Sequence, residues 1–164
     1  IDISHNGYDF MDDPMFHRRR VVRLPDDIYV IEDRVTGICR EDHDIRLYFN
    51  FAFGHLDGEN GKFDYTSQKE RGYTMTVQAD KKLDFEILEG SEDPIGGWIS
   101  YGYAWRKPIP QLIAKHSGKA PIHFITVLAP EGTKAETAIN GDAATVTLAG
   151  GKVLTLTENA VELH

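Results

Sequence analysis

A chain of 164 residues, 41% of them apolar, is long enough for one domain with a real hydrophobic core. Its 26 acidic residues outnumber 18 basic ones, and the resulting charge of -8 excludes a general nucleic-acid binder, leaving only a local basic patch to engage a polyanion. A single cysteine, Cys39, cannot close an intramolecular disulfide, so a disulfide-stapled fold is excluded as well.

Taken from its start, the chain opens on Ile1 without an initiator methionine or apolar leader, and it reads as a mature or excised piece. Apolar residues then recur with a period of two, the spacing of strands. Arg18 to Leu24 and Ile28 to Val35, separated by the turn residues Pro25-Asp26-Asp27, predict a hairpin. From Ile45 to Phe53 the odd positions are large and apolar, whereas Arg46, Tyr48 and Asn50 are polar; this is the pattern of a half-buried strand. Gly54 to Gly72 is charged and glycine-containing and reads as an exposed loop. Strand-like runs follow at Tyr73 to Ala79, Leu83 to Leu88, Trp98 to Trp105 and Ile122 to Leu128. Only Gln111 to Lys115 and Thr133 to Thr137 hint at helix, and both are too short to be stable alone. Beyond Pro130, Ala143 to Ala149 and Lys152 to Thr157 flank Gly150-Gly151, a tight-hairpin dipeptide. The class is all-β, an antiparallel two-sheet β-sandwich spanning residues 1–164 as one domain, with 131–164 as its terminal hairpins. No apolar run reaches the roughly 20 residues that a membrane-crossing helix needs, and no membrane partner is expected.

The chemistry concentrates in "FHRRRVVRLPDDIYVIEDRVTG". With a three-residue loop, Leu24 opposes Ile28 and His17 opposes Val35, so Asp33 becomes the diagonal neighbour of His17 on one face. A loop one residue shorter puts them on opposite faces, and the sequence leaves that register open. A strand His, a strand Asp and a further His, either His55 or His43, make a donor set suited to zinc with a fourth position for water. The plainer account is a hydrogen-bonded His17–Asp33 pair. Arg19 and Arg23 share the parity of His17, and Arg18 and Arg20 take the other. Those arginines either pair with the abundant carboxylates or form a patch for a carboxylated or sulfated polymer. Tyr101, Tyr103 and Trp105 line one parity of "GGWISYGYAWRKPIPQL", as core, as interface surface or as a platform for sugar rings. No Ser/His/Asp order, phosphate-cradling glycine loop or cysteine-nucleophile pattern is present.

Together "SHNGYDF", "FHRRRVVRLPDDIYVIEDRVTG", "DHDIRLYFNFAF", "GGWISYGYAWRKPIPQL" and "HFITVLAP" resemble, in order and spacing, the C-terminal β-domain of heparinase II/III-like polysaccharide lyases. The resemblance implies a β-sandwich of supersandwich type that closes one side of a cleft. An N-terminal (α/α) toroid, absent from this chain, would supply a tyrosine acid/base and neutralise the uronate carboxylate. It also implies a secreted or periplasmic parent that acts on uronate-containing polysaccharide by β-elimination, with this part silent alone. A structural metal, zinc, would be held by His17, Asp33 and a third histidine. Where related sequences carry a histidine in the aromatic strand this chain has Asn50, leaving His55 or His43. Near the cleft the expected residues are His17, Arg19 and Tyr48, with Arg19 holding an anionic group and His17 either ligating metal or assisting proton transfer. The rival expectation is a noncatalytic carbohydrate-binding or interdomain module that uses the aromatic face.

Overall fold

In the computed structural model, which describes residues 1–164, every regular element is a strand. In chain order these are β1 (Asp2–Tyr8), β2 (Met15–Leu24), β3 (Ile28–Gly37), β4 (His43–Asn50), β5 (Gly54–Glu59) and β6 (Lys62–Ser67). Then come β7 (Gly72–Ala79), β8 (Asp84–Glu89), the two-residue β9 (Ser91–Glu92) and β10 (Ile95–Gly96), β11 (Trp98–Gly102) and β12 (Trp105–Pro108). The last six are β13 (Pro110–Gly118), β14 (Ile122–Pro130), β15 (Ala135–Asn140), β16 (Ala143–Leu148), β17 (Val153–Leu156) and β18 (Val161–Leu163). No helix is long and apolar enough to cross a membrane.

A seven-stranded antiparallel sheet in the order β1-β2-β3-β14-β7-β6-β5 is the centre of the molecule. Strand alternation gives it two faces, and at its centre, over β3 and β14, both are covered. Ile122 and Phe124 of β14, Val35 of β3 and Met75 and Val77 of β7 meet Leu47 and Phe49 of β4 and Leu112 and Ala114 of β13 in one core. This is the two-sheet sandwich, its second sheet being β4-β13-β8. The opposite parity, Ile125 and Val127 of β14 with Val30 of β3, packs on Ala144, Val146, Leu154 and Leu156. Each fully buried side chain of that size contributes about 1.5–3 kcal/mol by leaving water.

Residues 135–163 thus form their own four-stranded meander, β15-β16-β17-β18, and add a third layer on the far face of the central sheet. Two other segments depart from the sequence reading. Gly54 to Gly72 is not a loop through most of its length: β5 and β6 form a hairpin at the sheet edge because Leu56, Phe63 and Tyr65 enter the core between charged neighbours. Gln111 to Lys115 is no helix but the middle of β13, paired on both sides, where Leu112, Ile113 and Ala114 are all buried. Burial on both faces erases the alternation that marks a strand.

The β2–β3 hairpin has the three-residue loop, with Leu24 opposite Ile28, His17 opposite Val35 and Arg19 opposite Asp33. Asp26 and Asp27 take positive φ there, a conformation that aspartate tolerates better than most residues. At the other end of the hairpin Gly37 also has positive φ, and a Cβ on it would collide with the Pro14 carbonyl. Glycine at that point lets the bend before β2 lie directly against the connection from β3 to β4.

Candidate functional site

His17, Arg19 and Asp33 share the face of the central sheet that looks toward β4. Asp33 is fully buried, and its Oδ1 accepts from His17 Nε2 at 2.6 Å and from Arg19 Nε at 2.7 Å. Arg19 Nη2 donates to Asp33 Oδ2 at 3.1 Å, completing a two-pronged ion pair, and its guanidinium lies 5.9 Å from the Phe49 ring centre. On the far side of the imidazole, His17 Nδ1 faces His5 Nε2 at 3.3 Å, because β1 pairs with β2 and sets His5 directly opposite His17. His5 Nδ1 accepts the Gly7 amide at 3.2 Å. For neutral rings that bond assigns the His5 proton to Nε2, which donates to His17 Nδ1, and His17 in turn donates from Nε2 to Asp33. A hydrogen-bonded file, His5 to His17 to Asp33, therefore runs from the surface into the core.

Beside it, between the edges of the two sheets, lies a groove of about 430 Å³. Tyr8, Met15 and His17 form one side, and Arg46 and Tyr48 of the edge strand β4 form the other. Arg46 pairs with Asp44 at 3.0 Å; the Tyr48 oxygen first, and then Asp44, push the pKa of its guanidinium upward. Of the expected cleft residues, His17 and Tyr48 line this groove. Arg19 does not, because its guanidinium is directed into the pair with Asp33.

The metal set expected from the resemblance does not assemble. His55 sits exposed on β5, at the opposite edge of the central sheet and five strand positions from β2, roughly 24 Å away at the usual strand spacing. Both oxygens of Asp33 are occupied by hydrogen bonds, and the two ring nitrogens of His17 point to different partners. His43, the alternative third ligand, lies on β4 in another group: its Nε2 is 3.2 Å from Asp13 Oδ2, and Cys39 completes the set. The Glu41 amide, the His43 ring and the Arg40 amide hold the Asp13 carboxyl below its ordinary pKa, against the opposing effect of desolvation.

Arg18 and Arg20 point the other way, while Arg23, on the His17 side, pairs with Asp27 at the exposed hairpin end. Arg20, almost fully buried, forms an ion pair through Nε with Glu32, and its Nη2 donates to the Thr157 carbonyl at 2.5 Å. Glu32 also receives Arg34 at 3.0 Å and His123 Nε2 at 2.8 Å. Burial alone would raise the Glu32 pKa, but hydrogen bonds from His123 and Arg20 and the charge of Arg34 prevail and bring it down to about 2. Arg34 reaches the Asp142 carbonyl at 2.6 Å, and Arg18 pairs with Asp2 and reaches the Glu158 carbonyl at 2.7 Å. Through these bonds the third layer is fastened to the central sheet.

Trp98 to Trp105 is not one strand: β11 and β12 form a hairpin that carries its aromatics outward. Tyr101 and Tyr103 are exposed, and the Tyr101 ring centre lies 5.5 Å from that of Trp105.

The fold thus defines an antiparallel β-sandwich with an added third sheet and a histidine-lined groove at one open edge. No protein-family model matches the chain, and no curated protein does. Among solved structures it is similar to a heparinase III described as the BT4657 gene product, with a TM-score of 0.69 and 14% identity over 95% of this chain and 27% of that one. A heparan sulfate lyase HepC mutant from Pedobacter heparinus superposes with a TM-score of 0.66 at 12% identity, covering 99% of this chain and 28% of the other. A further heparinase III gives 0.66 at 16% identity, covering 94% and 26%. The chain has the fold of about a quarter of these lyases' length.

His5, Arg46 and the Asp13–Cys39–His43 group escaped the sequence reading. His5 lay within the quoted "SHNGYDF", but only the β1–β2 pairing register sets it against His17.

Proposed function

We propose that this chain is the C-terminal β-domain of a heparinase II/III-like polysaccharide lyase, and that its groove forms one wall of a cleft for uronate-containing polysaccharide. The observation that carries this reading is the likeness to heparinase III chains over nearly all of this chain and only about a quarter of theirs. β-Elimination removes the C5 proton of a uronate, breaks the bond from C4 to the bridging oxygen and returns a proton to the departing sugar. It requires the uronate carboxylate to be neutralised, so that charge can spread from C5.

This chain would supply part of that neutralisation. Arg46 offers a guanidinium and Tyr48 a hydroxyl on the groove's rim, while His17, fixed by Asp33, presents a ring edge from the opposite side. The acid/base tyrosine would come from an N-terminal (α/α) toroid, and the chain alone would not turn over. A secreted or periplasmic location follows from the same reading, since such polymers lie outside the cytoplasm. The test is absorbance of the unsaturated product. Fragment 1–164 should yield none from heparan-type or alginate-type polymers, and the parent lyase should lose most of its turnover in Arg46→Ala. Turnover by the fragment, or an unaffected parent variant, would overturn the proposal.

A second reading is a noncatalytic carbohydrate-binding or interdomain module, favoured by the exposed Tyr101 and Tyr103 on the β11–β12 hairpin. It expects neutral sugars, or a neighbouring domain, to bind there and not at Arg46.

A further inference from the structure

Three side chains from three segments converge at the end of the sandwich nearest the groove: Asp13 from the bend before β2, Cys39 from the β3–β4 connection and His43 from the start of β4. One donor atom of each lies within 4.8 Å of the other two. A tetrahedral zinc site with bonds of about 2.0–2.3 Å places its donors about 3.3–3.6 Å apart, so small side-chain rotations would close the set around an ion. The geometry points to a divalent-metal site at Asp13, Cys39 and His43, selective for zinc-like ions, that clamps the central sheet to β4. It stands independently of the lyase reading.

The donors decide the metal. Thiolate and imidazole favour zinc over calcium or magnesium, which take oxygen, and three protein ligands leave one position for water. His43 lines the groove, so the site adjoins that surface.

The surroundings suit a metal-bound thiolate and carboxylate. Asp13 is 6% exposed and has no Lys or Arg partner, His43 being its one ion-pairing neighbour. The amides of Arg40 and Glu41 donate to its Oδ2 at 2.7 and 2.8 Å, while Oδ1 receives no hydrogen bond. The Ala120 amide donates to Cys39 Sγ at 3.1 Å. Backbone donors of this kind orient metal ligands from outside and delocalise their negative charge. In a metal-free protein the thiol proton serves Glu41 O at 3.2 Å, a weak bond that thiolate formation would give up. Cys39-x₃-His43 is also a short chelating spacing, and Gly37 permits the close approach of the bend that delivers Asp13.

Because Cys39 is the single cysteine, alkylation reports on this site alone. Fragment 1–164 should react with iodoacetamide readily in a chelator and at least about tenfold more slowly with one equivalent of Zn²⁺. His43→Gln should abolish the protection, and His17→Gln and His55→Gln should retain it. Co²⁺ should give a near-ultraviolet thiolate band that Cys39→Ser removes. Should Cys39→Ser fail to fold, the wild-type band and the alkylation rates decide. Zinc that leaves the alkylation rate unchanged, cobalt bound without a thiolate band, or protection lost in His17→Gln would overturn the site.

Discussion

The two faces of β2 make the same kind of pair and put it to different uses. On one face Arg20 meets Glu32 in a pocket closed by the terminal four-stranded sheet, and every charged group there is spent on another part of the fold. On the other face Arg19 meets Asp33, equally buried at the carboxylate, but the cluster continues outward through His17 to His5 and a groove. A sealed ion-pair cluster acts as a fastener between layers. The open cluster fixes the orientation of an imidazole that a ligand can reach.

The sealed face should give the largest effect. Glu32→Gln leaves Arg20, Arg34 and His123 without their shared anion, and breaking one partner of a buried ion pair costs about 3–5 kcal/mol. Urea unfolding should show that loss, and amide exchange should accelerate in residues 135–163 before the rest. Acid should act on the same group with a comparable but smaller effect. The Glu32 pKa is depressed in the folded state from 4.5 to about 2, so its contribution is complete above 4.5 and lost as pH falls from there toward 2. The shift corresponds to on the order of 3 kcal/mol, and Glu32→Gln should flatten the stability profile across that window.

On the open face the costs should fall. Asp33→Asn keeps the shape but leaves Arg19, which is partly exposed and can reach water, without its two-pronged acceptor; about 2 kcal/mol is expected by thermal unfolding. Nitrogen chemical shifts of His17 should then show a mixture of tautomers where the wild type has one. His17→Gln should be mildest, under about 1 kcal/mol, because the ring is partly exposed and the buried Asp33 carboxylate keeps both of its bonds from Arg19. A large loss there with little at Glu32 would reverse the assignment of the two faces.

The all-β class was legible because alternation survives wherever one side of a strand stays wet, as in β4. It failed at β13, buried on both sides, and at β5–β6, where three core residues sit among charges. The His17–Asp33 pairing was readable as one of two registers, and the three-residue loop decided it. The hairpin strands of the third layer were legible but its packing on the central sheet was not, since the carbonyls that receive Arg20 and Arg34 lie more than a hundred residues from them in the chain. The error over His55 has the same root: spacing along a sequence says little about which edge of a sheet a hairpin joins. In the proposed cleft Arg46 is given the role expected of Arg19 for a local reason, namely that a guanidinium two-pronged to a buried carboxylate has little left to offer a ligand.

Titration of fragment 1–164 and its Arg46→Ala variant with a sulfated, uronate-rich oligosaccharide and a neutral one of equal length tests the groove most directly. Salt-sensitive binding of the anionic sugar alone, weakened at least about tenfold in Arg46→Ala, is expected of a cleft wall built on charge. Equal affinity for the neutral sugar, or binding indifferent to Arg46, would contradict it and move the ligand surface to the aromatic hairpin.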